Sequence, residues 1–189
     1  QSSKQRLSAN VQAALESGDV HEENEMSVKN RNISSVVLRL GLGLGFLSAV
    51  ADRFGLWGPF GERNVEWGNY SRFLNYTQTV NGYWPTSLIP TLGGVATGAE
   101  ILFGLLILVG WHTRIAARLG GGLLIVFATA MTISLGVKSV LNYAVLTGIG
   151  GAFLLANCDS FPFSLDELLS RRAHFKVTST DVPTNPVAD

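Results

Sequence analysis

The chain has 189 residues, of which 47% are hydrophobic and only 15% are charged, and its formal net charge is zero. The charged fraction lies well below the roughly 25% of soluble domains, and 21 glycines are many for this length. Most charged residues lie near the two ends, as in a multi-span membrane protein with polar tails. Net neutrality, with no basic patch among aromatic residues, excludes nucleic acid as a predicted partner.

The composition predicts three segments in one all-α membrane protein. Residues 1–30 form a polar N-terminal tail, residues 31–158 a membrane domain, and residues 159–189 a polar C-terminal tail. Because Cys158 is the only cysteine, an intramolecular disulfide and a cysteine-based metal site are both excluded. The three histidines lack metal-ligand spacing, so no metal site is predicted.

Four apolar runs within residues 31–158 are long enough to be membrane spans. The sequence therefore predicts a membrane-embedded four-helix bundle, with spans at about 33–56, 87–110, 115–137 and 140–158.

The second span contains the residue that most needs an explanation, Glu100. An ionisable group at this depth is costly, so it normally faces protein or water and has a partner. Gly93, Thr97 and Gly104 share its helical face. Two readings stay open, namely a structural ion pair that holds the bundle together and a functional site.

The first span carries a possible partner for Glu100. Arg39 lies on one face with Gly43, Phe46 and Val50. Its side chain either extends to the nearby lipid head groups or forms an ion pair with Glu100. The two interpretations have equal support in the sequence.

The connection between the first two spans, residues 57–86, is rich in aromatic residues. Helical spacing from Trp67 to Thr77 predicts a short helix that lies in the membrane interface, where amphipathic rings are favoured. The alternative is a lid over a pocket between the spans.

The polar C-terminal tail begins with a helix signal. Ser164 and Glu167 have the spacing of a capping box, which predicts a short helix from Leu165 onward. From Val177 the composition is typical of disorder.

Lysine and arginine residues near the span ends predict the orientation. A modest excess on one side places both termini on the cytoplasmic or matrix-like side of a bacterial inner membrane or an organelle membrane. The aromatic loop then faces the opposite side.

Three stretches together resemble the DoxX-like family of small four-helix membrane proteins: LRLGLGLGFLSAVADRFGLWGP, ATGAEILFGLLILVGWHTRIAA and MTISLGVKSVLNYAVL. The resemblance covers about residues 35–157 and leaves both tails outside. It implies association with quinone-linked redox enzymes of membranes. The residues that it implies as ligand or ion-pair candidates are Arg39, Glu100, Lys138, Asn142 and Tyr143.

Two functions follow as expectations. The first is an accessory subunit of a quinone-linked respiratory or redox complex, in which quinone or lipid contacts the chain but no cofactor is bound directly. The second is a purely structural or assembly subunit that meets other subunits through its glycine faces and polar tails. No catalytic constellation is visible, so redox activity would belong to partner subunits. A transporter is disfavoured because the sequence shows no internal repeat or broken helix.

Overall fold

The computed structural model describes the backbone of residues 2–170 and the side chains of residues 25–170. The predicted disorder from Val177 lies outside this range. The described chain is helical and contains no strand. Its helices are α1 (Ser2–Arg53), α2 (Tyr70–Val80), α3 (Ile89–Val109), α4 (Thr113–Leu135), α5 (Val137–Asn142) and α6 (Val145–Ala156). A 3-10 turn, Thr86–Leu88, precedes α3, and residues 165–170 are again helical.

Three of these helices indicate a membrane protein. Within the described residues, the stretches Glu25–Arg53, Thr86–Val109 and Thr113–Leu135 are long and apolar enough to cross a bilayer. Large apolar side chains on them are more than half exposed, as expected of surfaces that lipid covers: Val37, Leu44, Val95, Leu102, Val126 and Ile133. The first three predicted spans therefore correspond to helices of suitable length. The predicted polar N-terminal tail, 1–30, continues into the first of them because α1 starts at Ser2.

The fourth predicted span, residues 140–158, is divided between two helices. α5 ends at Asn142, and α6 begins at Val145 after Ala144 adopts a left-handed conformation with φ of 50°. At 12 residues, α6 is roughly 18 Å long, which is short of the ~30 Å hydrocarbon core. No pattern in residues 140–158 indicates this broken helix.

Glycines in left-handed or extended backbone conformations end the two central helices. Gly110 has φ of 74° and donates its N–H to the Leu106 carbonyl, closing α3 as a C-terminal glycine cap. Gly136 has φ of 83° and closes α4. Residues 110–112 alone connect α3 to α4.

Small residues set how closely the helices pack. α1 runs antiparallel to α3, and a Cβ atom placed on Gly43 would lie 3.0 Å from the Gly104 carbonyl oxygen. On the other side of the molecule, a Cβ on Gly121 of α4 would lie 3.2 Å from Ala152 of α6. Phe46 of α1 fills the space above Gly120 of α4, so α1, α3, α4 and α6 share one core.

The aromatic loop contains one α-helix, α2. The side chain of Asn69 accepts a hydrogen bond from the Arg72 backbone N–H at 3.0 Å and thereby caps its N-terminus. α2 lies across the beginning of α3, where Phe73 and Leu74 occupy the space beside Gly93. We refer below to the end of the molecule near α2 and residues 54–69 as the loop end, and to the end near residues 157–170 as the terminal end.

Candidate functional site

The centre of the candidate site is a buried ion pair between Arg53 and Glu100. Arg53 is the last residue of α1, and Glu100 lies in the middle of α3. Nη2 of Arg53 lies 2.7 Å from both carboxylate oxygens, and Nη1 donates a 2.8 Å hydrogen bond to Oγ1 of Thr97. The two side chains are 4% and 3% exposed. A pair this deeply buried is stable only because each charge compensates the other.

Aromatic side chains close the pair from the loop end. The guanidinium carbon of Arg53 lies 3.9 Å from the centre of the Phe73 ring and 5.4 Å from that of the Trp67 ring. Both contacts have cation–π geometry, which stabilises a desolvated cation. α2 therefore does more than lie near the bundle, because it supplies Phe73 to cover the charge.

Asp52, beside Arg53 in the chain, fixes the loop that carries Trp67. Its carboxylate accepts three backbone hydrogen bonds, from Glu66 at 2.9 Å, Trp67 at 3.1 Å and Gly68 at 3.3 Å. Successive N–H groups pointing at one anion form a favourable concave site for that charge. Asp52 thus holds the end of the loop over the ion pair.

The ion pair does not satisfy all of its polar atoms. Nε of Arg53, Oε2 of Glu100 and Nε1 of Trp67 are buried without a hydrogen-bond partner, although Oε2 lies within ion-pair distance of Nη2. Most buried polar atoms of native proteins are hydrogen-bonded, and an unpaired one costs about 1–3 kcal/mol. Since Oε2 is held by the ion pair, Nε of Arg53 and Nε1 of Trp67 are the two polar groups of this region that packing leaves without a partner.

A cavity of about 1020 Å³ adjoins the ion pair. Its walls come from α1, α2, α3, α4, α6 and the connecting loop. Near the loop end, apolar residues such as Val80, Leu92 and Val95 stand beside most of the polar and aromatic lining: Ser48, Asp52, Arg53, Trp57, Arg63, Asn64, Glu66, Trp67, Tyr76 and Tyr143. Deeper in the bundle it is apolar: Gly41, Leu42, Gly45, Phe46, Leu123, Leu124, Phe127, Val145 and Gly148.

Two tyrosines face this cavity. The hydroxyl of Tyr143 donates a 3.0 Å hydrogen bond to Oε1 of Glu66 and so connects the break between α5 and α6 to the loop. Burial, together with the negative charge of Glu66, raises the pKa of Tyr76 above its usual value of 10.0. Tyr76 therefore remains a neutral hydroxyl, able to donate and to accept a hydrogen bond.

The partner predicted for Glu100 is wrong, because Arg39 does not reach it. Arg39 lies at the terminal end, where its guanidinium donates to the carbonyls of Ile107 at 3.1 Å, Leu108 at 2.9 Å and Pro162 at 2.8 Å. The first two are carbonyls of the last turn of α3, where a cation is favourable. Because its side chain is buried, Arg39 does not extend to lipid head groups either, so that interpretation is also wrong.

A second charged residue, Asp166, binds the connection between α3 and α4. The Asp166 carboxylate accepts hydrogen bonds from the backbone N–H groups of His112 at 2.8 Å and Thr113 at 2.9 Å, and from the Thr113 hydroxyl. It therefore caps the beginning of α4 from the C-terminal segment. The capping box is present in part, since Oγ of Ser164 accepts from the Glu167 backbone at 3.1 Å.

Of the other predicted site residues, the structure brings only Tyr143 to the cavity. Lys138 and Asn142 are exposed on α5 and do not line it. Among the described residues, no group of histidine, cysteine, aspartate and glutamate side chains could hold a metal ion.

Arg53 is the site residue that the sequence reasoning missed. The apolar run of the first span predicts no partner role for it. Yet it continues the helical face of Arg39, Gly43, Phe46 and Val50 by one further step of three residues. That periodicity was the available signal.

Comparison of the chain with protein-family models, curated proteins and solved structures gives no match. The resemblance to DoxX-like proteins therefore remains an expectation from the three quoted stretches.

Proposed function

We propose that the protein is a four-helix, DoxX-like membrane subunit that serves a quinone-linked redox complex as an accessory component. In this proposal α5 and α6 together make the fourth span, α2 lies in the membrane interface, and both termini face the cytoplasmic or matrix-like side. Electron carriers belong to partner subunits. The chain contributes a polar position inside the membrane at which a ligand of the complex is held.

The observation that carries this proposal is the Arg53–Glu100 pair beside the cavity. Charged groups within membrane spans are rare and usually mark a functional position. A pair that served packing alone would need neither an adjoining cavity of about 1020 Å³ nor two unpaired polar groups beside it, Nε of Arg53 and Nε1 of Trp67. The cavity is large enough for a ligand, and the ion pair makes one of its walls polar.

A purely structural role is the second candidate, and one observation favours it. The pair is covered by Phe73 and tied to Thr97, so it also joins α1, α2 and α3. In that case the charges fix the register of the helices, and the chain acts in assembly through its surfaces and tails.

The variant Glu100→Gln separates the two candidates, because it removes the charge but keeps the size and an acceptor oxygen. The measurement is quinol-dependent activity of native membranes, at matched amounts of inserted protein. We expect that activity to fall at least tenfold in Glu100→Gln. Glu62→Gln, which neutralises an exposed carboxylate of the loop, is the control and should retain activity.

Purification from mild detergent tests the association with a complex. We expect cytochrome- or flavin-bearing subunits to be recovered with the chain. Full activity of the Glu100→Gln variant would support the structural role instead. So would a variant protein that fails to accumulate together with the other subunits of the complex. Recovery of the chain alone would contradict membership of a redox complex.

A further inference from the structure

We infer that the cavity beside Arg53 and Glu100 binds an amphiphile with an uncharged polar head and one apolar tail, which enters sideways from the bilayer. This inference rests on the proposed function, since it requires the chain to lie in a membrane. It goes further by naming the chemistry of the ligand, its orientation and its route.

The orientation follows from the polarity of the walls. The loop end of the cavity carries most of its hydroxyl, amide, indole and charged groups, whereas the part between α1, α4 and α6 carries glycine and apolar side chains. A ligand with a polar head and an apolar tail satisfies both parts at once. Ligand sites of this size commonly combine apolar walls with a few convergent polar groups.

The head contacts the tyrosines at the loop end. Tyr76 is neutral, and Tyr143 already donates to Glu66, so its oxygen is free to accept from a ligand. Glu100 also lines the cavity, with its carboxylate held by Arg53. These groups suit a head that both donates and accepts hydrogen bonds.

The charges of the lining disfavour an anionic head. Two arginines, Arg53 and Arg63, stand against three carboxylates, those of Asp52, Glu66 and Glu100, so the lining is negative by one charge. Arg53 is already neutralised by Glu100. A phosphate would therefore add a second negative charge to a lining whose buried cation is already paired, which is costly.

The tail lies along α1. A Cβ atom on Gly41 or Gly45 would meet no atom within 4 Å, and both glycines line the apolar part of the cavity. Their missing side chains create a smooth trough the length of one helical turn. Larger residues at these positions would occupy the space that the tail needs.

The break in the fourth span opens the route from the lipid. α6 touches α1 toward the terminal end, where a Cβ on Gly151 would lie 3.4 Å from Leu38. Toward the loop end the fourth span is interrupted between Asn142, where α5 ends, and Val145, where α6 begins, and Gly41 and Gly45 of α1 are exposed. The trough is consequently open to the side.

Photolabelling of the full chain in phosphatidylcholine nanodiscs tests the inference. The probe is a decyl benzoquinone with a diazirine on its tail, and labelled peptides are mapped by mass spectrometry. We expect saturable labelling of residues 41–49 and 143–148 that excess unlabelled decyl benzoquinone or monoolein abolishes. Competition by decyl benzoquinone alone would assign a quinone-type ring, and competition by monoolein alone would assign an uncharged glyceride. Either outcome supports an uncharged head. Equal competition by phosphatidylglycerol, or labelling spread evenly over all lipid-facing helices, would overturn it.

A pair of glycine variants keeps the test independent of the ion pair. Gly45→Leu fills the trough and should reduce saturable labelling at least tenfold. Gly122→Leu is the matched control, because its Cβ also meets nothing within 4 Å but the residue does not line the cavity. Equal labelling of the two variants would contradict the assignment of the trough.

The two proposals can fail separately. If the isolated protein shows no saturable labelling but membranes still lose activity with Glu100→Gln, the binding inference is refuted and the proposed function stands. Specific labelling of a chain that purifies without redox partners would do the reverse.

Discussion

Arg53 and Glu100 meet at 2.7 Å because their side chains lean toward one another along antiparallel helices. In an α-helix every Cα–Cβ bond tilts toward the N-terminus. For Arg53, at the end of α1, that direction leads from the loop end into the bundle. For Glu100 on α3 the same rule leads toward the loop end, so the two side chains converge.

The same rule explains why Arg39 cannot be the partner. The contact between Gly43 and Gly104 sets the register of α1 against α3 and places Glu100 about level with residue 47. Arg53 is then about 9 Å from that level and Arg39 about 12 Å, at 1.5 Å per residue. The Arg39 side chain also leans away from Glu100, toward the carbonyls that end α3.

Removing one member of the buried pair should destabilise the protein strongly. Glu100→Ala leaves the Arg53 cation buried without compensation, which costs about 3–5 kcal/mol. Replacing both residues by leucine should restore most of the lost stability, because neither charge then remains to be desolvated. The free energy of unfolding, measured in mixed micelles with a rising fraction of SDS, checks both expectations.

The exposed pair of Arg31 and Asp159 is the control for this experiment. Its nitrogen and oxygen are 3.5 Å apart, with side chains 65% and 84% exposed. Arg31→Gln should change stability by less than about 1 kcal/mol. A single Glu100→Ala substitution as mild as this one would show that the buried charges are solvated in the protein.

The sequence predicted helix positions better than contacts between helices. Apolar runs marked α1, α3 and α4, because their period and length are local properties. Aromatic spacing marked α2 in the same way. The pairing of Arg53 with Glu100 depends instead on the register of two helices, which the fit of Gly43 against Gly104 decides. No pattern within either helix contains that register.

Other parts of the site depend on contacts between distant segments. Asp166 caps α4 from 53 residues away in the chain, and Asp52 binds backbone N–H groups of a loop 14 to 16 residues later. A carboxylate that serves a distant backbone leaves no periodic signal. The break at Ala144 is equally hidden, because alanine normally favours a continuous helix.

A side chain at Gly43 should disrupt the packing of α1 on α3. A Cβ there would lie 2.5 Å from Cγ of Leu108 and 3.0 Å from a backbone oxygen. We expect Gly43→Ala to lower the free energy of unfolding by about 1–3 kcal/mol through overpacking. Gly41→Ala, two residues earlier with no atom within 4 Å, should be neutral or stabilising by up to about 1 kcal/mol. Equal effects of the two substitutions would contradict the close approach of the helices.

Arg39 should hold the C-terminal segment against the end of α3. Arg39→Met keeps much of the length but removes every donor, leaving the carbonyls of Ile107, Leu108 and Pro162 without it. We expect a loss of about 2–3 kcal/mol, since hydrogen bonds to a charged group contribute about 1.5–3 kcal/mol each but are not additive. Amide hydrogen exchange should become faster in residues 159–170 while the loop end is unchanged.

Arg39→Lys gives a sharper version of the same test. A lysine retains the charge but lacks the planar fork that reaches several carbonyls at once. We therefore expect exchange in residues 159–170 close to that of Arg39→Met. Exchange close to that of the native chain would show that charge alone holds the segment.

Asp166 should make the attachment of the C-terminal segment depend on pH. Burial raises the pKa of this carboxyl, but the hydrogen bonds from Thr113 and His112 outweigh it and hold the pKa below its usual value of 3.8. The unfolded chain therefore binds more protons in the window between the lowered pKa and 3.8. In that window the free energy of unfolding falls as the pH falls, whereas the contribution is complete above it.

The comparison of native protein with Asp166→Asn isolates this effect from other carboxyl groups. At pH 6 the variant should be less stable by about 1–2 kcal/mol, which is the size of a lost helix cap. The difference should shrink as the pH falls below about 4, because the unfolded chain then gains a proton at this carboxyl that the folded chain does not yet bind. Asp159→Asn, whose side chain is 84% exposed, should follow the native curve throughout. A difference between native protein and Asp166→Asn that stays constant down to pH 3 would mean that the charge of Asp166 does not stabilise α4.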